Sequence, residues 1–257
     1  VTTLHDPAPA QTRPEPDVEA YALEAVLRSL VHIGAHTSPR SQQKTVGASE
    51  VGHPCPRRLA YQLVHTTPVN LGDPLRALVG TGTHLALAEL MHRMDAGTGR
   101  WLVETPVAYR GVPGTVDLYD RMTGTVIDWK TTLRTKVARL RVDGPPAQYV
   151  TQLQIYAAAL EAVGETPRWT ALAYLPIDSG LNDLWVWRTG YHRDIADAAV
   201  DRLQHLARAE LETTAGHIDP ATVEAVPNYL CAWCPYHQPG AVDLSIACPG
   251  NTERTPL

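Results

Sequence analysis

Gly114-Thr-Val-Asp117-Leu-Tyr-Asp-Arg-Met-Thr-Gly124-Thr-Val-Ile-Asp128-Trp-Lys130 has the pattern of a β-hairpin, and the rest of the chain arranges itself around it. β-branched and aromatic residues run up to a turn centred on Gly124 and resume after it, the pattern of two consecutive strands. The ten residues between Asp117 and Asp128 are enough for one strand end, a tight turn and a return. The two acids can therefore sit side by side. On the returning strand the period of two puts Val126, Asp128 and Lys130 on one face, with Ile127 and Trp129 on the other. An acid and a lysine facing the same way on a core strand are costly to bury without a task.

Outward from this hairpin, Trp101–Arg110 reads as a strand before it, and Pro145 starts a helix to about Val163. Arg168–Ile177 and Leu181–Arg188 read as two more strands, and Tyr191–Ala215 as a long helix. Upstream, Asp17 reads as the N-cap of a helix ending near Gly34. Residues 35–48 read as loop, and Ser49 and Pro56 each start a short helical piece. A longer helix spans about Pro74 to Asp95, with Leu78, Leu85 and Met91 as its buried stripe. This order gives a mixed α/β domain with one central sheet. Residues 1–17 are polar and proline-rich and read as a flexible arm. Residues 18–257 read as a single domain: a helical part (18–98), the sheet with its helix (99–190), a helix (191–226) and a cysteine-rich tail (227–257).

The 257 residues are 44 % apolar and 19 % charged, which excludes wholesale disorder. No apolar run is long enough for a membrane span, and the first residues have no apolar core of a secretory signal, so a cytoplasmic protein is expected. The net charge of −5 excludes a generally basic nucleic-acid coat but not a local basic groove. Only three of the basic residues are lysines (Lys44, Lys130, Lys136), so Lys130 beside Asp128 draws notice.

Two carboxylates side by side tolerate each other when a hard divalent cation bridges them, and Mg²⁺ or Mn²⁺ prefers such ligands. A lysine two positions along can then steady a water nucleophile or the charge building on a phosphate. Read singly, each feature has a plainer account. Asp117 can be a turn acid, Asp128 and Lys130 a surface pair, His84 a satisfied core histidine, and Gln152 and Tyr156 ordinary packing on one helix face.

Taken in order, Gly80-x-x-x-His84, Gly114-x-x-Asp117, Asp128-Trp-Lys130 and Gln152-x-x-x-Tyr156, framed by Cys55 and a late cysteine group, form a specific set. With it the chain resembles the PD-(D/E)XK nucleases over residues 49–250, in the RecB-like branch. The similarity is nearest to its iron–sulfur members among CRISPR-adaptation, AddB-type and phage exonucleases. The resemblance implies a restriction-endonuclease-like α/β core with a mixed sheet flanked by helices, and a tail closing a metal cluster. It implies that His84, Asp117, Asp128 and the backbone carbonyl of Trp129 bind the catalytic Mg²⁺ or Mn²⁺. Lys130 then positions or activates the attacking water and offsets charge in the transition state, Gln152 orients Lys130, water or phosphate, and Tyr156 supports the site or contacts DNA.

Cys231-x-x-Cys234 is a compact ligand pair, Cys248 follows after thirteen residues, and Cys55 lies far upstream. Four thiolates suit a [4Fe–4S] cluster or tetrahedral Zn²⁺. The resemblance implies the cluster. The last gap is longer than the family's usual one, so Cys248 and His237 both stand as candidates for the fourth ligand.

For an acidic protein that cuts DNA, a local positive track is needed. Arg57 and Arg58 after Cys55, and Arg134, Lys136, Arg139 and Arg141 after the third strand, are its candidates, or else a solvated basic loop. Tyr149 and Trp233 can stack on unpaired bases or else pack in the core. No base-reading module stands in the chain, so the expected substrate is DNA ends or single strands, without sequence specificity, in recombination, genome processing or CRISPR adaptation. A protein partner from those pathways and an oligomer both stay open. The alternatives are a catalytically silent DNA-binding or assembly subunit, and a zinc-stapled structure-specific endonuclease.

Overall fold

In this computed structural model residues 18–36, 45–212 and 218–250 are described. In chain order the elements are α1 (Val18–His36), α2 (Ala48–Val51), α3 (Pro56–Leu63), α4 (Leu75–Asp95), β1 (Trp101–Tyr109), β2 (Val112–Asp120) and β3 (Thr125–Thr132). Then follow α5 (Arg134–Asp143), α6 (Ala147–Ala162), β4 (Trp169–Pro176), β5 (Trp185–Gly190) and α7 (Arg193–Glu212). The expected N-terminal arm, the Asp17 cap, most of the loop after α1 and the end of the last helix lie outside the described residues.

The five strands form one sheet in the order β1-β2-β3-β4-β5. Every neighbouring pair is antiparallel except β3–β4, which is parallel. A parallel pair needs a crossover, and α5 and α6 supply it. The β2–β3 turn closes on Gly124, whose φ of +65° suits a residue without a side chain, and its N–H donates to the Asp120 carbonyl at 2.8 Å. Asp120 holds this corner. Its carboxylate takes both Nε and Nη2 of Arg100, at 2.7 and 2.8 Å, and also accepts from the Met122 N–H and the Thr123 hydroxyl.

Helix α6 is the central helix, buried continuously from Gln152 to Leu160. Its Leu153, Ile155 and Leu160 join Val126, Leu172 and Tyr174 of the sheet and Val200 of α7 in one core. Each such apolar side chain contributes about 1.5–3 kcal/mol on burial. Gln154, fully buried, latches α6 to the sheet: it donates to Thr170 Oγ1 and the Gly190 carbonyl and accepts from the His192 N–H at 2.7 Å.

Three expectations are corrected. The stripe on α4 is not buried: Leu78 and Leu85 are 46 % and 66 % exposed, and no residue of α4 is fully buried. The helix instead meets the sheet through its small and polar side, where an added Cβ on Gly80 would lie 3.3 Å from Thr131 Oγ1 and where His84 reaches β3. The basic run after β3 is a helix, α5, and not a loop; Val137 and Leu140 are its buried anchors. Leu181–Asp183 forms a 3-10 turn, so the last strand begins at Trp185.

The tail is tied to the helical part by side-chain and backbone bonds. Tyr61 donates to the Leu244 carbonyl at 2.6 Å, and Arg57 Nε to the Val223 carbonyl at 2.9 Å. Asn70 clamps the Cys231–Cys234 turn, its amide donating to the Ala232 and Cys234 carbonyls, while the Val69 and Asn70 N–H groups donate to Pro235. Among the described residues no helix is long and apolar enough to cross a membrane.

Candidate functional site

The motif residues converge where the sheet comes apart. The β2–β3 ladder stops at Leu118↔Ile127, one step before Asp117 and Asp128. There the Asp117 carboxylate takes the place of a strand partner and accepts the Trp129 N–H at 2.8 Å. On its other side the β1–β2 ladder is interrupted between Val103↔Leu118 and Thr105↔Val116, where Glu104 stands across from Asp117. Glu104 has a φ of +43°, a left-handed backbone that a side chain adopts only at a cost. Asp117 therefore lies in a gap on both edges of its strand.

From α4, His84 closes this gap. Its Nε2 donates to the Trp129 carbonyl at 3.0 Å, and its Nδ1 lies 3.4 Å from Asp117 Oδ2 and 3.9 Å from Glu104 Oε1. The ligand atoms of His84, Glu104 and Asp117 all lie within 4.8 Å of one another. The hydrogen bond to Asp117 raises the His84 pKa against the opposing effect of burial, with the charges of Asp117, Asp128 and Glu104 adding to it. One imidazole, two carboxylates and a carbonyl at such distances suit a hard divalent ion.

Asp128, Lys130, Gln152 and Tyr156 form an adjoining chain. Asp128 is buried, and burial, reinforced by the Asp117 charge and opposed by Lys130, raises its pKa. Lys130 Nζ lies 2.7 Å from Asp128 Oδ2, an ionic contact off the hydrogen-bonding direction. Gln152 bridges the pair, donating to Asp128 Oδ1 at 3.0 Å and accepting from Lys130 at 3.2 Å. Gln152 Nε2 also donates to the Tyr156 hydroxyl at 2.8 Å. Gly114 makes room for this arrangement: a Cβ there would meet Tyr156 Cε1 at 2.5 Å. The ammonium of Lys130 also lies 4.6 Å from the centre of the Tyr149 ring, a cation–π contact.

The structure thus brings together His84, Asp117 and the Trp129 carbonyl, and beside them Asp128, Lys130, Gln152 and Tyr156. Sequence reasoning missed Glu104. The signal available was an acid inside a strand, in register with Asp117 across the β1–β2 hairpin. Arg134, Lys136, Arg139 and Arg141 lie exposed on α5. Arg57 and Arg58 instead line a cavity around the cysteines, and Trp233 is 60 % exposed.

That cavity is lined by Cys55, Cys231, Cys234 and Cys248 together with His53, Tyr61 and His237. All four thiols are free of disulfides. His237 and Cys248 are paired by a short bridge of backbone, and His237 Nε2 donates to the Pro249 carbonyl at 3.1 Å. Burial raises the Cys234 pKa. Burial, with the Arg58 charge, pushes His53 down to about 4. Among the described residues, no three of these cysteines and histidines bring donor atoms within 4.8 Å of one another.

Residues 98–238, more than half of the chain, match the family model of the PD-(D/E)XK nuclease superfamily. The chain belongs to this superfamily. Its mixed α/β sheet and clustered acids are those of a metal-dependent nuclease. No curated protein matches it. Among solved structures, the alkaline exonuclease LHK-Exo from Laribacter hongkongensis is similar at 14 % identity over 67 % of this chain and 91 % of its own, with a TM-score of 0.48. A second structure of LHK-Exo, in complex with dAMP, is similar at 14 % identity over 66 % and 89 %, with a TM-score of 0.45. A phage-related exonuclease from Haemophilus somnus 129PT is similar at 12 % identity over 62 % and 90 %, with a TM-score of 0.36.

Proposed function

We propose that the chain is a DNA exonuclease of the RecB-like branch, hydrolysing phosphodiester bonds from DNA ends without base-sequence specificity. The observation that carries the reading is the gap at Asp117, where His84, Glu104 and Asp117 converge beside the Asp128–Lys130–Gln152 chain. His84, Glu104, Asp117 and the Trp129 carbonyl would hold Mg²⁺ or Mn²⁺, with Asp128 next to them. The ion supplies Lewis acidity and lowers the pKa of its bound water.

The chain's own residues do the rest. Water adds to phosphorus as it gives up a proton to solvent, and the bond to the leaving sugar oxygen breaks as that oxygen takes up a proton from solvent. The Lys130 side chain lies against Asp128 and the Tyr149 ring, so its part is to orient the attacking oxygen and offset negative charge on the phosphate. Gln152 fixes the ammonium from the other side, and Tyr156 fixes Gln152. Arg134, Lys136, Arg139 and Arg141 on α5 begin four residues after Lys130 and offer a phosphate track.

The cysteine cavity is the site of a [4Fe–4S] cluster in this reading. Four thiolates on one tetrahedral zinc would sit about 3.8 Å apart with Zn–S bonds of about 2.3 Å. Among the described residues no three of these thiols and imidazoles lie within 4.8 Å of one another, which favours a larger group. Cys248 and His237 both line the cavity, but His237 Nε2 is already engaged by the Pro249 carbonyl, which favours Cys248 as the fourth ligand.

The test is degradation of end-labelled linear DNA and a closed circle in Mg²⁺ or Mn²⁺. Loss of the linear DNA with the circle spared supports an exonuclease. Nicking of the circle would replace it with an endonuclease.

A further inference from the structure

Arg58 faces the cysteine cavity with one of its donors unused. It is largely shielded, with 13 % of its side chain exposed. Its Nη1 is ion-paired with Glu50, which fixes the plane of the guanidinium. Its Nε is buried and has no hydrogen-bond acceptor. Leaving a buried, charged donor unmet is costly, so an acceptor belongs there. The neighbouring guanidiniums are engaged elsewhere: Arg57 Nε donates to the Val223 carbonyl, and Arg202 Nη2 to the Val51 and His53 carbonyls. Arg58 thus lines one cavity with the four thiols while ion-paired with Glu50.

We propose that Arg58 is a positioning and tuning residue for the group in the cysteine cavity, its Nε–H donating to a sulfur of that group and its charge offsetting the negative charge there. This rests on the iron–sulfur reading above. Thiolate-bound clusters are anionic, and one-electron reduction makes them more so. A cation and an N–H donor at the sulfurs therefore favour the reduced form and raise the potential. Glu50 works against Arg58, because its carboxylate cancels part of that charge. Two substitutions on one ion pair should then move the potential in opposite directions.

The test uses full-length protein reconstituted anaerobically with iron and sulfide. Iron and sulfide content and absorption near 400 nm are measured first, then the midpoint potential. A wild-type protein that holds no iron and sulfide overturns the iron–sulfur reading, and this proposal with it. In loaded proteins, Arg58→Met should shift the reduction equilibrium about tenfold toward the oxidised form, ~59 mV lower for one electron. Glu50→Gln should shift it the other way. A structural role for the pair would give no such opposition. Loaded Arg58→Met and Glu50→Gln proteins with the wild-type potential would overturn the proposal while leaving the cluster standing. If Arg58→Met does not load, Glu50→Gln decides alone: a raised potential supports the role and an unchanged one refutes it.

Discussion

Glu104 stands across an interrupted ladder from Asp117, and the two carboxylates share one imidazole, His84 Nδ1, at 3.9 and 3.4 Å. Like charges placed so closely weaken a fold unless a cation is expected between them. Glu104→Gln should therefore weaken Mn²⁺ binding about tenfold and raise the stability of the metal-free protein. Isothermal titration with Mn²⁺ and thermal melts in chelator check both. Unchanged Mn²⁺ affinity would remove Glu104 from the ligand set.

Gly114 is where the strand gives way to Tyr156. Gly114→Ala puts a methyl 2.5 Å from the Tyr156 ring, so the ring or the strand must move. The expected loss is about 1–3 kcal/mol of stability, read by urea denaturation. Activity should fall with it, because Tyr156 holds Gln152.

Asp120 is a structural acid only three positions from Asp117. The Arg100 guanidinium, aided by Thr123 and Met122, holds its pKa below the ordinary carboxylate value. A depressed folded-state pKa means that its stabilisation is present above the unfolded value of about 3.9 and is lost as pH falls through the folded value. Asp120→Asn should cost about 1–3 kcal/mol at neutral pH and flatten the acid limb of the stability curve below about pH 4. Nuclease activity per folded molecule should be unchanged.

Cys231 closes the cavity from the tail. Cys231→Ser should abolish iron binding and the absorption near 400 nm and lower the melting temperature by several degrees. A variant with the wild-type melting temperature and full iron content would remove Cys231 from the ligand set.

The hairpin was legible because its signal is local: β-branched residues, a Gly turn and a two-residue period that fixes which side chains share a face. Gln152 and Tyr156 were legible for the same reason, through the turn of a helix. Glu104 was not, because its role comes from a strand register and an unusual backbone angle that no neighbouring residue announces. Helix α4 misled because an apolar stripe does not choose its own partner. The contacts of Gly80 and His84 set which side of that helix meets the sheet. Helix α5 has only Val137 and Leu140 to bury, too weak a period to read through its charges. The part Asn70 plays in clamping the cysteine turn depends on two loops far apart in sequence, and nothing local marks it.

Lys130, held by Asp128 and Gln152, serves metal-dependent cleavage of DNA in the proposed reaction. The most direct test is single-turnover cleavage of end-labelled linear DNA in Mn²⁺ by the wild type and by Lys130→Ala, with chelator as control. Chelator should abolish cleavage, and Lys130→Ala should slow it by about 10²–10³-fold with DNA binding retained. Cleavage at the wild-type rate by Lys130→Ala, or cleavage that survives chelator, would contradict this role.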